Sequence, residues 1–253
     1  MSLELLVLTV DEVLVRTDEL HRAAINVALR ECYDDAGWTS EAHAMWKRAG
    51  DSRQMLRAWL HARHGRVPPA QDDALYRAYQ KAFVERCARQ AIGIRWQALR
   101  LMDSAEQGGA RLALVAPMSS RMLCALLDGA LGADWVDRFS VVATADALSA
   151  QETEADLYRL VLRTADVPAH RALLAAATEY GLRAAQGIGM HAVNVLPEGS
   201  EAPRLAAGLA TLSSAPQAIW PEFHALESLV PTQPPRATDA SDGSRATAEP
   251  LAN

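Results

Sequence analysis

The amino-acid sequence predicts an α/β fold, a doubly wound parallel sheet with an all-helical domain inserted into it. Short runs of Leu, Val and Ala that are apolar on both faces alternate with amphipathic helical segments, which is typical of parallel sheets covered by helices. A long segment with only helical patterns separates the first two of these runs. The chain has 253 residues, half of them hydrophobic, which is enough for one such core and a small inserted domain.

Five strands are predicted, each from a short apolar run. Residues 5–10 form the first, and RLALVA at Arg111–Ala116 forms the second. The remaining three are residues 139–144, Ala172–Ala176 and residues 191–195. Amphipathic helices are predicted between them over residues 121–129, Glu154–Ala165 and residues 182–188.

Residues 17–90 contain only helical patterns, such as SRQMLRAWLHARHG, with polar turns at residues 36–37 and 67–69. They predict a cap of three or four helices between two parts of a core, residues 1–16 and 91–227. Ligands of open parallel sheets bind at the carboxyl ends of the strands, so the cap is expected to cover the binding crevice. Residues 228–253 are rich in Pro, Ser, Thr, Ala and Asp, which predicts a disordered tail.

Charge and cysteine content exclude several classes of protein. The formal net charge of −6 offers no basic face for nucleic acid or for a membrane surface, so we expect neither as a partner. No apolar run approaches the length of a membrane span. Cys32, Cys87 and Cys124 are widely spaced and form no metal-ligand pattern, which is typical of reduced thiols in a cytoplasmic protein.

Several sequence blocks, in order, resemble the haloacid-dehalogenase superfamily, and most of all its CbbY-type sugar-phosphate phosphatases with a helical cap. The family opening DxDGTL, followed by TE, HR and Asn, is similar to TVDEVL, TDE, HR and Asn26 here. The family block GxxLAIATTT is similar to GGARLALVAPMS, and LGxxWxxxF to LGADWVDRF. GDVVPAKKPAPDIY can be laid on ADALSAQETEADLY, and CxAIEDSxxGLxAAxAAGM on ALLAAATEYGLRAAQGIGM. The resemblance covers residues 4 to 195 and implies the same core and cap.

The resemblance also implies where the catalytic groups of the family would lie. Family members attack phosphorus with the first Asp of DxD, and this position holds Thr9. The second Asp, the general acid/base, is retained as Asp11. The Thr that hydrogen-bonds the phosphoryl oxygens is replaced by Ala116, followed by Pro117.

Three further positions of the family pattern differ. The Lys that holds nucleophile and phosphate together falls on Glu152, and the Glu-Asp pair that helps to bind magnesium falls on Ala176 and Ala177. In the cap, the substrate segment GGKER is laid on residues 50–54, GDSRQ, without its Lys and Glu. Magnesium requires oxygen ligands in near-octahedral geometry, so we expect the family's magnesium site to be lost and no cofactor to be bound. Glu12, Glu152 and Glu154 are expected to make the mouth of the site acidic and to repel a phosphate dianion.

Other residues have a chemical and a structural interpretation. Thr9 is expected to be a strand-end residue and not a nucleophile, and Asp11 to cap the turn that leads into the cap. Ser119 and Ser120 follow the second strand and are the best candidates for contacts to a small anion. His61 and His64 lack a third metal ligand, and His21 is expected to pack inside the scaffold. The Trp residues in and beside the cap are expected to be core, and the acidic residues at 152, 154 and 156 a solvated helix start.

Three functional hypotheses follow. The first is a phosphatase-like protein without catalysis, which binds a protein partner such as an active paralogue and regulates it. The second is an altered hydrolase that uses Asp11 and a water on a small metabolite that is not a phosphate. The third is a sensor that closes its cap on a small molecule without turnover. A fold does not choose between these hypotheses, because function depends on the site.

Overall fold

The computed structural model describes residues 2–149, 152–198 and 209–229, and its core is a six-stranded parallel sheet. The strands lie in the order β3-β2-β1-β4-β5-β6, so the first strand is near the centre, between the second and the fourth. The strands are β1 Leu5–Thr9, β2 Arg111–Ala116, β3 Val141–Thr144, β4 Ala172–Ala176, β5 His191–Leu196 and β6 Ala210–Ser213.

Helices cover both faces of this sheet, and four more precede the second strand. The helices are α1 Asp18–Tyr33, α2 Ser40–Trp46, α3 Ser52–His64, α4 Pro69–Cys87, α5 Trp96–Gln107, α6 Ser120–Leu131, α7 Glu154–Ala165, α8 Glu179–Gly187 and α9 Phe223–Leu229. A short 3-10 turn, Lys47–Ala49, follows α2. Alternate residues of β1 serve the two faces: Leu6 and Leu8 pack with α5 and α6, whereas Leu5 and Val7 pack with α7 and α8. The predicted doubly wound fold is confirmed.

The five predicted strands are all present, with their ends shifted by at most two residues. Three elements were not predicted: the edge strand β6, the helix α5 and the short helix α9. The α9 helix includes residues 228 and 229, which the sequence assigned to the tail. The remainder of the predicted disordered tail, residues 230–253, lies outside the described residues.

The cap consists of α1 to α4 and the 3-10 turn, as the helical periodicity of residues 17–90 predicts. Its interior is an aromatic cluster. The Trp38 ring stacks on Trp46 with centroids 6.1 Å apart and contacts Trp59 at 6.3 Å, and Tyr33 packs on the edge of Trp59 at 5.7 Å. Trp38 and Trp59 are buried, so these rings hold α1, α2 and α3 together.

Two short linkers join cap and core, and they pair with each other. Val15, in the first linker, makes isolated bridges with Asp11 and with Ile94 of the second linker. The backbone N–H of Arg95 donates to the carbonyl of Leu14 at 2.9 Å. The first linker begins at the carboxyl end of β1, and residues of both core and cap line one cavity there, so the cap lies over this end of the sheet.

The structure also describes the cysteines and the apolar character of the helices. Cys32 and Cys124 are exposed, Cys87 is buried, and all are free thiols. Within the described ranges, no helix combines the length and the apolar character that crossing a membrane requires.

Candidate functional site

A cavity lies between the carboxyl end of the sheet and the cap. Its volume is about 80 Å³, which is smaller than the usual site for a drug-sized ligand. The lining residues are Thr9, Asp11, Glu12, Asp18, His21, His43, Lys47, Gly50, Asp51, Ser52, Met55, Pro117, Glu154, Thr178 and Tyr180. The cavity therefore takes side chains from both the core and the cap.

Asp11 is at the centre of a partly buried hydrogen-bond network. Its Oδ1 accepts a bond of 2.7 Å from the Thr17 hydroxyl and lies 3.0 Å from His21 Nε2. The other ring nitrogen of His21, Nδ1, lies 2.6 Å from the Tyr79 hydroxyl, which donates to Ser52 Oγ at 3.0 Å. The network runs from the end of β1 through α1 and α4 to α3, so it connects the core to three helices of the cap.

The charge state of Asp11 follows from these contacts. Burial alone would raise the pKa of Asp11, but the charge of His21 and the hydrogen bonds from His21 and Thr17 outweigh burial and hold the pKa below its usual value. Asp11 is therefore ionised at neutral pH, and an ionised carboxylate can only accept hydrogen bonds. His21 Nε2 must then carry a proton. His21, expected to pack inside the scaffold, is thus a member of the cavity wall as well as a buried residue.

Glu12, not Asp11, caps the turn that leads into the cap. Its Oε1 accepts from the backbone N–H of Thr17 at 2.8 Å and of Asp18 at 3.0 Å, at the start of α1. The predicted capping role of Asp11 was wrong, because Asp11 bonds to side chains. Glu12 has φ 61, a left-handed conformation that favours glycine, and it stands where the family pattern DxDGTL has its Gly. Burial and the charge of Asp18 raise the pKa of Glu12, against the capping bonds and the charge of Lys47.

Few polar groups lie at the positions to which the resemblance assigns roles in phosphoryl transfer. Thr9 ends β1, and its hydroxyl makes only a long contact of 3.4 Å to the carbonyl of Ala175. Ala116 and Ala176 are fully buried at the ends of β2 and β4, and Pro117 brings its ring to the cavity. Pro117 has no N–H to donate.

These groups do not fit a magnesium ion of the family type. Magnesium in such sites is held by carboxylates and other oxygen ligands. Of the two carboxylates that follow β1, Asp11 already bonds to Thr17 and His21, and Glu12 caps the start of α1. Ala176 and Ala177 have no oxygen in their side chains. In the described part of the chain, no group of three or more His, Cys, Asp or Glu residues is placed to hold a metal ion.

Glu152 and Glu154 were both expected at the mouth of the site, and of the two Glu154 alone lines the cavity. Glu152 is exposed and accepts a hydrogen bond of 2.6 Å from the backbone N–H of Ser149, so it does not line the cavity between cap and core. Glu154 is the carboxylate that lines the cavity, where its partner is the Tyr158 hydroxyl. Burial raises the pKa of Glu154 to about 7, and the charges of Asp11 and Asp51 add to the shift, against the Tyr158 hydrogen bond. The prediction of a solvated helix start was wrong for Glu154.

Ser120 bonds to a group outside the cavity. The backbone N–H and the hydroxyl of Ser120 both donate to the Asp146 carboxylate, at 2.7 and 2.6 Å. Neither serine lines the cavity. The two predicted anion ligands therefore do not line the cavity. The loop after β3 supplies Asp146, which accepts both hydrogen bonds that Ser120 can donate.

The cap supplies further cavity residues: Asp51 and Ser52 lie in the segment that the resemblance relates to substrate binding, whereas sequence reasoning missed Lys47. Asp51 begins α3 as its N-cap and accepts from the N–H groups of Arg53 and Gln54 at 2.9 and 2.8 Å. The pattern D-x-x-Q at residues 51–54 is a capping-box signal. From this signal, a helix that starts here with Asp51 as its N-cap could have been predicted. Lys47 pairs with Asp18 in the same wall. By contrast, His61 and His64 are both exposed, and His64 stacks on Tyr33 at 5.0 Å.

Comparison with known proteins gives consistent results. No family model matches the sequence. The protein CbbY of Cereibacter sphaeroides is 29% identical over 191 residues, which cover 76% of this chain and 83% of that protein. A plasmid-encoded CbbY of Cupriavidus necator is 28% identical over 197 residues, which cover 76% of this chain and 77% of that protein.

A solved structure extends the likeness to three dimensions. The crystal structure of a CbbY variant from Rhodobacter sphaeroides, in complex with xylulose-1,5-bisphosphate, superposes with a TM-score of 0.74 at 27% identity. The match covers 83% of this chain and 93% of that one. A parallel sheet in the order described, a helical cap inserted after β1 and these relatives agree, and together they support a place in the haloacid-dehalogenase superfamily, with the CbbY- and β-phosphoglucomutase-like proteins.

Proposed function

We propose that this protein has the fold of a sugar-phosphate phosphatase without its chemistry, and that it acts as a binding or regulatory protein. The observation that supports this most is the donor set at the strand ends. Asp11 alone remains of the carboxylates that the family pattern places at the ends of β1 and β4, and the ends of β2 and β4 carry the buried Ala116 and Ala176.

Energetics support the proposal. Hydrolysis of a phosphate monoester is among the slowest uncatalysed reactions, so an enzyme must remove roughly 20 kcal/mol or more of its barrier. The resemblance assigns that work to a carboxylate nucleophile, a phosphate-binding Thr and Lys, and magnesium. Thr9 has a hydroxyl of ordinary reactivity, and among the described residues no Lys or His accepts its proton.

The electrostatics of the cavity also disfavour a phosphate substrate. Asp11, Glu12, Asp18, Asp51 and Glu154 line it, and Lys47 is the one Lys among the lining residues and pairs with Asp18. A phosphate dianion would enter a region of like charge with little water to screen it. The ligand that fits is therefore not a phosphate. We propose that the protein which it regulates is a binding partner, such as an active paralogue.

An altered hydrolase is the second candidate, and the contact between Asp11 and His21 favours it. Asp11 is ionised, lies in the cavity and is 3.0 Å from His21 Nε2, so it could accept a proton from a water that attacks a small neutral substrate. Its present hydrogen bonds to Thr17 and His21 occupy the same oxygen, Oδ1, which leaves the second carboxylate oxygen for such a water.

Turnover of a panel of sugar phosphates and an aryl phosphate, with magnesium, tests the proposal. We expect phosphate release by the wild type to equal that of an Asp11→Asn variant prepared in parallel, because both rates then reflect contaminants. Magnesium-dependent release that the Asp11→Asn substitution abolishes would overturn the proposal. A panel of neutral esters and amides, run with the same pair, tests the second candidate in the same way.

A further inference from the structure

Three consecutive side chains at the start of α5 are bonded to three consecutive backbone carbonyls of the core. The carbonyls belong to residues 214–216, which follow β6 directly and which we call the strap. The bonded pairs are Arg95 Nη2 with Ser214 at 2.5 Å, Gln97 Nε2 with Ala215 at 3.0 Å and Trp96 Nε1 with Pro216 at 3.3 Å. The second linker between core and cap therefore ends in a set of side chains that the strap holds.

The strap restrains both linkers and not only the second. The two linkers pair with each other through Val15 and Ile94. Arg16, at the end of the first linker, also places its Nη2 3.5 Å from the Ser214 carbonyl. A cap rotates on its core only when the backbone of its linkers turns. Because the linkers are joined, fixing one of them to the strap restrains the other.

The Arg95 guanidinium gives this attachment two discrete states. Arg95 is only 6% exposed, and its Nε and Nη1 have no hydrogen-bond partner among the described residues. Its Nη2 bonds to the Ser214 carbonyl, and its Cζ lies 5.7 Å from the centroid of the Trp220 ring. A buried charged group that loses its acceptor bears the full cost of desolvation, so partial detachment is unfavourable. The side chain is therefore either bonded to the strap or released into water.

The strap belongs to the core and not to the cap. The backbone N–H of Ser214 donates to the carbonyl of Leu196, at the end of β5, at 2.9 Å. Further along the chain, the backbone N–H of Phe223 donates to Ser104 Oγ on α5, also at 2.9 Å. The strap is thus fixed to the sheet on one side and to α5 on the other, so it can resist a movement of the linkers.

The size of the cavity gives this restraint a consequence. At about 80 Å³ the cavity holds few atoms, so a ligand of ordinary size enters only when the cap moves. We propose that the strap controls the hinge of the cap: bonded to Arg95, Trp96 and Gln97, it holds the cap closed, and its release lets the cap open. This inference goes beyond the proposed function, because it concerns access to the cavity and not what binds or reacts there.

Two native thiols allow the position of the cap to be measured. Cys32 is exposed on the cap helix α1 and Cys124 is exposed on the core helix α6, whereas Cys87 is buried. Spin labels on the two exposed thiols of the full chain report the distance between cap and core by double electron–electron resonance. We expect one distance population in the wild type. A second population should appear in the double variant Arg95→Met, Gln97→Leu, which loses two of the three strap bonds.

Hydrogen exchange detects an open cap that is too rare for the distance measurement. The backbone N–H of Val15, in the first linker, donates to the carbonyl of Val10 at 3.1 Å and takes no part in the strap bonds. Its exchange should be at least about tenfold faster in the double variant, which loses the hydrogen bond of a charged group. In Gln97→Leu alone, where Arg95 stays bonded to the strap, the exchange should be faster by a smaller factor.

Arg100→Met is the matched control. Arg100 lies on the same helix, with its Cζ 6.0 Å from the centroid of the Trp96 ring, and it pairs at 3.7 Å with Glu222, which lies outside the strap. This variant also loses one positive charge beside Trp96. It should keep the distance population and the Val15 exchange rate of the wild type.

A purely structural role for these bonds predicts a less stable protein with its cap unmoved. A double variant that is folded by circular dichroism, with the distances and the Val15 exchange of the wild type, would therefore overturn the inference. If the double variant does not fold, Gln97→Leu alone decides, and unchanged exchange at Val15 overturns the inference. Phosphate release is not measured in these experiments, so the proposed function stands or falls separately.

Discussion

The Asp11 carboxylate, at the end of the first strand, lies 3.0 Å from His21 Nε2 on the first helix of the cap. This contact is a direct polar link between the core and the cap across the cavity. His21 is held from its other side by the Tyr79 hydroxyl and packs against the ring of Phe83, with centroids 4.8 Å apart. A residue fixed by a carboxylate, a hydroxyl and an aromatic ring holds one orientation, so it sets the position of the cap over β1.

Replacing His21 by Ala should lower the free energy of unfolding by about 2–4 kcal/mol. The substitution leaves a buried cavity beside Phe83 and removes a hydrogen-bond partner from Asp11 and from Tyr79. Tyr79→Phe, which removes only the hydroxyl, should cost less, about 1–2 kcal/mol. Urea unfolding of the three proteins measures these differences. A His21→Ala protein as stable as the wild type would contradict the structural role of the network.

Glu12 combines an unfavourable backbone conformation with a useful side chain, and three substitutions separate the two effects. Glu12→Gln keeps an oxygen that can cap α1 and should change stability by less than about 1 kcal/mol. Glu12→Ala loses the cap and keeps the strain of φ 61, so it should cost about 2 kcal/mol. Glu12→Gly loses the cap but relieves the strain, so it should be about 1 kcal/mol more stable than Glu12→Ala. An Ala variant more stable than the Gly variant would contradict this account.

Gly181 is needed for the packing of α8 on α7. A Cβ at this position would lie 2.9 Å from the Tyr158 hydroxyl and 3.0 Å from Glu154 Oε1. Tyr158 is fully buried and cannot move away easily, so Gly181→Ala should destabilise the protein by about 1–3 kcal/mol. In a helix without this clash, the same substitution would stabilise by up to about 1 kcal/mol. The Tyr158→Phe substitution should lower the free energy of unfolding less in Gly181→Ala than in the wild type. Thermal unfolding of the four proteins of this double-mutant cycle tests the prediction.

The raised pKa of Glu154 makes stability depend on pH in a defined direction. Its value is near 4.5 in the unfolded chain and about 7 in the folded protein, so the folded state binds more protons between these values. Glu154 therefore favours folding at low pH, and this contribution is lost as pH rises from about 4.5 to 7, by at most about 3 kcal/mol. The difference in unfolding free energy between Glu154→Gln and the wild type should widen in favour of the Gln variant over this range. A difference that does not change with pH would contradict the burial of Glu154.

The fold could be predicted from the sequence because buried parallel strands are continuous apolar runs. RLALVA and ALLAA stand out for that reason, and β2 and β4 have the predicted bounds. The edge strand β6, ATLS, has mixed polarity and an exposed pattern, so its composition carries no such signal. Helix α5 begins at an exposed Trp96 without a capping side chain, so no start signal marks it.

The site was less predictable, because side-chain direction depends on tertiary packing. Glu152 and Glu154 are two residues apart at the start of one helix, yet one is in solvent and the other in the cavity. Which of them faces inward depends on how α7 packs against α8, which the spacing of acidic residues does not reveal. Similarly, Asp11 and Glu12 are adjacent, and the left-handed turn at Glu12 decides which one caps the helix.

We propose that the family's chemistry is absent while its fold is retained. The most direct test is magnesium-dependent phosphate release by the wild type beside a variant with the family's groups introduced. The introduced groups are Thr9→Asp, Ala116→Thr, Glu152→Lys, Ala176→Glu and Ala177→Asp. We expect no release by the wild type above the Asp11→Asn background, and release by the substituted protein from at least one sugar phosphate. Turnover by the wild type that Asp11→Asn abolishes would contradict the claim.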